Sequence, residues 1–217
     1  MEQTRQTEQT RQTEQANRNP APGPVLMAAA AAAAARVVSG VPEGPLDAST
    51  PCADWDLRTL LNHVILWTAY SAERRAYGES AAEDLMGKDF TADPGFRAAY
   101  ADQLGKAVNA WSDPAAWERE LGVMGNTTPA AEVAAMLIME MVLHGWDVAK
   151  ATGQDYVCDD AVAASVLETI EAQGEMFRKY DGFKDIVPLA GEVTKEVTKF
   201  DRALSLSGRD PHWQPET

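Results

Sequence analysis

Residues 136–151, MLIMEMVLHGWDVAKA, set the strictest condition on any fold this chain can adopt. Leu137, Met141, His144, Val148 and Ala151 recur at helical spacing and make one apolar stripe. Glu140 and His144 are four residues apart, so on a helix their side chains leave the same face. That face points into a core, where a carboxylate without a partner is costly. Two arrangements relieve the cost. The Glu can lie at the edge of the stripe and reach water, while the His finds a buried polar partner. Alternatively, both bind a divalent cation, with a third ligand from another helix completing a site inside a bundle.

The segments before it read as further helices. Eight alanines at 28–35 favour a first helix over 25–39, opened by Pro24 and closed by Gly40. Alanine offers little apolar surface, so this helix must sit close against its neighbours. A second helix over 56–77, capped by Asp54 or Asp56, buries Leu57, Leu60, Leu61, Val64, Trp67 and Ser71. His63 borders that stripe. Residues 78–94 form a long acidic connection with Glu83, Asp84, Asp89 and Asp93. Its length suits a lid or binding loop, with the charges solvated. A third helix spans 95–111, and a short strand is expected at 120–124. The fourth helix runs over 128–151, with Thr128 as cap, Pro129 first and Glu132 in its first turn. Asp159 or Asp160 caps a fifth helix running to Tyr180, and residues 181–217 are less regular.

Residues 1–16 repeat Glu-Gln-Thr-Arg-Gln-Thr, and 17–24 form a linker with three prolines. Such a stretch buries nothing and is expected to be disordered. The chain therefore divides into an extension and linker at 1–24, one helical domain at 25–213 and a tail at 214–217. A hydrophobic content of 45% supports one domain with a real core.

Asp and Glu outnumber Lys and Arg by 33 to 19, for a net charge of -14, which argues against nucleic acid or an anionic membrane as partner. No stretch reads as a membrane span. The apolar run at 25–38 lacks the basic lead and cleavage site of a secretory signal. Cys52 and Cys158 have neither metal-site spacing nor a disulfide framework, which suits a reducing, cytoplasmic location. There is no Gly-rich phosphate loop and no nucleophile elbow.

Three segments carry a resemblance: TPCADWDLRTLLNHV at 50–64, EMVLHGWDVAKATG at 140–153 and DRALSLSGRDPHW at 201–213. Their order and spacing resemble the DinB-like superfamily of metalloproteins, and more closely its mycothiol-dependent maleylpyruvate isomerase branch. The resemblance covers about residues 25–213. It implies an all-α fold: a DinB-like antiparallel four-helix bundle with an additional helix and an irregular C-terminal tail. It also implies a divalent metal held by a His of the second helix and a Glu-x-x-x-His of a later one. Those positions are His63, Glu140 and His144. Zinc is usual, and the ligand set also accepts iron, nickel or manganese.

Family resemblance further implies mycothiol as co-substrate and a small electrophile as substrate. A cation with an open position favours a thiolate, which can add to an activated double bond, permit rotation and leave. That is an isomerase. If the thiolate stays attached, the enzyme is an S-transferase. With a metal-bound water instead, the site would be a hydrolase, and with a filled site a non-catalytic metal-binding protein. A homodimer is compatible with all of these.

Asp147, three residues after His144, either orients an imidazole or pairs with Lys150 in solvent. Arg209 either grips a substrate carboxylate or pins the tail through an ion pair. Trp55, Trp67 and Trp146 are candidates to wall a cavity, with Trp67 equally suited to plain core. Cys52, before the second helix, is either a half-buried packing residue or a catalytic thiol, whereas Cys158 reads as incidental and His212 as exposed or a local hydrogen-bond partner. One departure stands out. Full isomerases of this branch carry a distinct small domain after the bundle, whereas here residues 152–217 follow and open with a helix.

Overall fold

The computed structural model describes residues 23–123, 125–189 and 197–215. The polar repeat at 1–16, most of the linker and the end of the tail lie outside these residues. Helix α1 spans Pro24–Ser39, with Pro24 in its first turn and Gly40 closing it. Ala30, Ala31 and Ala34 are buried with Met27, Val37 and Val38. The small side chains let the helix press close, and after it Gly40 leaves room for the Gln154 side chain. A Cβ there would lie 2.2 Å from Gln154 Oε1.

Asp56 caps α2, its carboxylate accepting from the Thr59 N–H at 2.8 Å. This helix has three parts: α-helical Leu57–Val64, π-helical Ile65–Ser71 and α-helical Ala72–Ala76. Thr68, within the π stretch, donates to the Val64 carbonyl at 2.7 Å and meets the Tyr100 hydroxyl at 2.9 Å. Such stretches often mark functional sites in helices, and this one begins two residues after His63.

The acidic connection is tied down rather than loose. Asn62 accepts from the Phe90 N–H and donates to Asp89, while Arg58 pairs with Asp89 at 3.3 Å. Arg74 pairs with Asp84. Two of the four acids expected in solvent thus hold the loop to α2.

Helix α3 spans Phe96–Trp111 and is followed by the short α4, Pro114–Trp117. Strands β1, Glu120–Val123, and β2, Asn126–Pro129, form an antiparallel hairpin with Leu121 opposite Thr128. Helix α5 therefore starts at Ala130 rather than at 128, and Thr128 is a strand residue, not a cap. The Ala130 N–H goes to the Arg119 carbonyl at 2.8 Å, which satisfies a donor that a capping side chain would otherwise take.

Helix α5 extends to Ala151, and α6 spans Asp160–Lys179 with Asp159 as its cap. Asp181 follows with a φ of 59°. The Gly182 N–H reaches back to the Phe177 carbonyl, and Asp181 N–H to that of Arg178, a helix ending usually built on glycine. Helix α7, Lys199–Leu206, opens on a reciprocal Thr198–Asp201 cap.

The four long helices α1, α2, α3 and α5 make the antiparallel bundle: α1 packs on α5 and α3, and α2 on α3 and α5. The pair α6 and α7 lies outside, with α6 against α5 and α1. Among the described residues no helix is long and apolar enough to cross a membrane.

Candidate metal centre

The apolar stripes of α2 and α5 face each other, and this places His63 opposite Glu140 and His144. His63 Nε2 lies 3.0 Å from Glu140 Oε2, and His144 Nε2 lies 3.3 Å from the same oxygen. Ligand-capable atoms of all three residues fall within 4.8 Å of one another. Two imidazole nitrogens aimed at one carboxylate oxygen is the convergence a cation requires.

The other nitrogen of His144 decides its tautomer. Nδ1 lies 2.9 Å from Asp147 Oδ2, so it carries a proton and donates. Nε2, which faces Glu140, donates to it when the ring is charged and carries the lone pair when the ring is neutral. Asp147 is fully buried, and Arg209 holds it from the other side, donating from Nε and Nη2 at 2.9 and 2.8 Å. Burial alone would raise the Asp147 carboxyl, but the Arg209 charge and the bonds from His144 and Arg209 bring it down to about 2. Asp147 is thus an anion at any physiological pH. Burial also opposes charge on Glu140, yet the His144 charge and hydrogen bonds from both imidazoles hold it well below the usual range. Burial would lower the imidazole of His144, and Glu140 followed by Asp147 holds it well above.

A second cluster shares His144. Cys52 Sγ donates to Asp147 Oδ2 at 3.2 Å and lies 3.8 Å from His144 Nδ1. Cys52, His144 and Asp147 could also surround a cation. Arg209 weighs against that, because its Nη2 is 3.4 Å from His144 Nδ1 and 3.6 Å from Cys52 Sγ. A cation there would sit beside a guanidinium already bonded to both carboxylate oxygens. Among the described residues, the His63–Glu140–His144 cluster has no guanidinium bonded to its carboxylate.

Both clusters open on one cavity of about 240 Å³. Its floor is His63, Glu140 and His144, and its rim is formed by Pro51–Trp55, by Asp181, Gly182 and Lys184, and by Ser207–Arg209. Trp55 stands over both imidazoles, with ring centroids 4.7 Å from His63 and 5.7 Å from His144. Trp67 is 6.2 Å from His63 and packs against the core, and Trp146 is buried with Lys150 over its ring. Neither lines the cavity. Lys150 therefore meets Trp146 rather than Asp147. Arg209 is in the ion pair considered for it, with Asp147 as its partner, and it also borders the cavity. Cys158 is remote, its thiol pushed up to about 12 by burial, and His212 is exposed.

Sequence reasoning did not connect Lys184 to this site, and it left Cys52 between packing and a catalytic thiol. The proline-flanked loop before α2 and the turn after α6 carry no periodicity that would reveal their neighbours. The capping position of Asp56 was the available signal, since it fixes where the preceding loop must run.

The four long helices form an all-α bundle, and its DinB-like character rests on its family membership. The chain belongs to the family of the mycothiol maleylpyruvate isomerase N-terminal domain, whose sequence profile matches residues 27–149. A solved structure of a histidine-to-alanine variant of mycothiol-dependent maleylpyruvate isomerase shares the fold. It is 17% identical, with a TM-score of 0.54, covering 68% of this chain and 67% of that one. No curated protein sequence matches the chain.

Proposed function

We propose that this chain is a divalent-metal-dependent isomerase or S-transferase that uses a low-molecular-weight thiol, mycothiol, on a small electrophile. The convergence of His63 Nε2 and His144 Nε2 on one oxygen of Glu140 carries this reading. Two imidazoles and a carboxylate from two helices suit zinc, iron, nickel or manganese and leave coordination positions for other ligands. When bound, the cation supplies Lewis acidity that favours the deprotonated form of a thiol.

The protein's own groups prepare that chemistry. Asp147 keeps the Nδ1 proton on His144 and so presents Nε2 as a lone-pair donor. Arg209 keeps Asp147 ionised inside the bundle. Trp55 covers one side of the two imidazoles and limits water there. A thiolate in the cavity would add to the activated double bond of the electrophile. Rotation and expulsion give the isomer, whereas protonation of the adduct gives the conjugate.

The test is elemental analysis of the purified protein, followed by thiol-dependent turnover of an unsaturated acid. The expected result is a stoichiometric divalent ion, with ion and turnover lost together in His144→Ala. Full metal retention in His144→Ala overturns the ligand assignment. Turnover that needs metal but no thiol overturns the thiol-dependent reading in favour of chemistry by a metal-bound water.

A further inference from the structure

Among the described residues, the cavity lining carries two permanent cations, Arg209 and Lys184. Arg209 is buried and donates to both oxygens of Asp147. Its charge is already matched from below. Lys184 stands at the rim with Nζ 2.6 Å from Asp54 Oδ2, and 63% and 70% of the two side chains are exposed. A pair this exposed contributes little and exchanges partners readily.

The backbone under Lys184 is fixed. Asp181 and Gly182 close α6 by hydrogen bonds to Arg178 and Phe177, and the Phe183 ring packs 5.0 Å from that of Phe177. From the other side Gly208, with φ +81°, approaches so closely that a Cβ would lie 2.9 Å from the Lys184 carbonyl. A long, mobile ammonium is therefore displayed from a clamped base at the cavity mouth. The acidic groups of the lining are Asp54 and Asp181 at the rim and Glu140 on the floor. On a chain of net charge -14, an exposed ammonium at the cavity mouth favours the approach of an anion.

We propose that Lys184 is a specificity-determining residue whose ammonium leaves Asp54 to hold a carboxylate of the electrophile at the cavity mouth. This rests on reading the cavity as the substrate site. Asp54 is then an internal competitor that keeps the ammonium in place until the acid arrives. Neutral electrophiles gain nothing from the exchange.

The test titrates the metal-loaded protein with maleate and with its neutral diamide by calorimetry. Lys184→Met is expected to weaken maleate by about three- to tenfold, as loss of a charge-assisted contact at an exposed site does, and to leave the diamide unchanged. Asp54→Asn is expected to tighten maleate. Metal content and mycothiol binding should not change in either variant. Equal weakening of maleate and diamide, an unchanged maleate affinity in Lys184→Met, or weakened mycothiol binding would each overturn the assignment. These readings need no turnover. A protein that discriminates maleate through Lys184 but shows no thiol-dependent activity would sink the isomerase reading and uphold the anchor.

Discussion

His144 Nδ1 and Asp147 Oδ2 lie 2.9 Å apart, one helical turn from each other on α5. The same carboxylate takes Arg209 from the segment after α7. A residue near the C-terminus is thereby coupled to the orientation of an imidazole at the bundle centre. Changing Asp147→Asn keeps the volume and removes the charge. Metal affinity is expected to fall about 10- to 100-fold, measured by competition with a chelator. The buried Arg209 charge left behind should also destabilise the fold by about 3 kcal/mol. The double variant Asp147→Asn/Arg209→Met removes the orphaned charge and should recover part of that stability without recovering metal affinity. Recovery of both would mean that Asp147 acts on the fold alone.

Metal-free protein should have a stability optimum set by Glu140 and His144. Glu140 is held well below its usual 4.5, so its contribution is fully present above pH 4.5 and is lost as pH falls through the lowered value. His144 is held well above 6.5, so its contribution is fully present below pH 6.5 and is lost as pH rises through the raised value. For this pair the optimum lies between those limits. A bound cation replaces the Nε2 proton, which removes the alkaline loss. The gap in melting temperature between zinc-loaded and chelator-treated protein should widen from about pH 6 to about pH 9. A gap that narrows over that range contradicts the His144 assignment.

The helices were legible because their apolar residues recur at helical spacing and their ends carry Pro24, Asp56 and Asp159. The same spacing placed Glu140 and His144 on one face. That His63 faces them was not local information. It came from the resemblance of three segments to one family, and the family itself is borne out by the match over 27–149. The start of α5 was misjudged because Thr127, Thr128 and Pro129 pair with Gly122, Leu121 and Glu120, and strand pairing depends on residues outside the helix pattern. Lys184 stayed hidden, and Cys52 undecided, for a related reason. Loop residues are brought to a site by turns, and turns leave only single-residue traces such as Gly208.

Gly208 offers a direct check on how the tail is seated. Its φ of +81° disfavours any side chain, and a Cβ would strike the Lys184 backbone at 2.9 Å. Gly87 has a similar φ of +84° with nothing within 4 Å of a Cβ. Gly87→Ala should therefore cost only the conformational strain, about 1 kcal/mol. Gly208→Ala should cost at least about 2 kcal/mol, because backbone must move as well. In melting temperature that is a drop of about 4–8 °C for a chain of this size. Equal losses in the two variants would show that the 184–208 contact is not tight in solution.

The acidic connection should be only as ordered as its ties to α2. Asn62 carries two of them, accepting from the Phe90 N–H at 2.7 Å and donating to Asp89 at 3.0 Å. Asn62→Ala leaves the half-buried Phe90 N–H without that acceptor and releases Asp89, at an expected cost of about 1–2 kcal/mol. Residues 78–94 should then exchange amide hydrogens faster and be cut earlier by protease, with α2 and α5 still protected. Because Asn62 points to the loop while His63 points to α5, metal content should be retained. Unchanged exchange at Phe90 would show that the Arg58 and Arg74 pairs suffice to hold the loop. Loss of metal would show instead that the connection supports the position of His63, and that the two neighbours on α2 act as one unit.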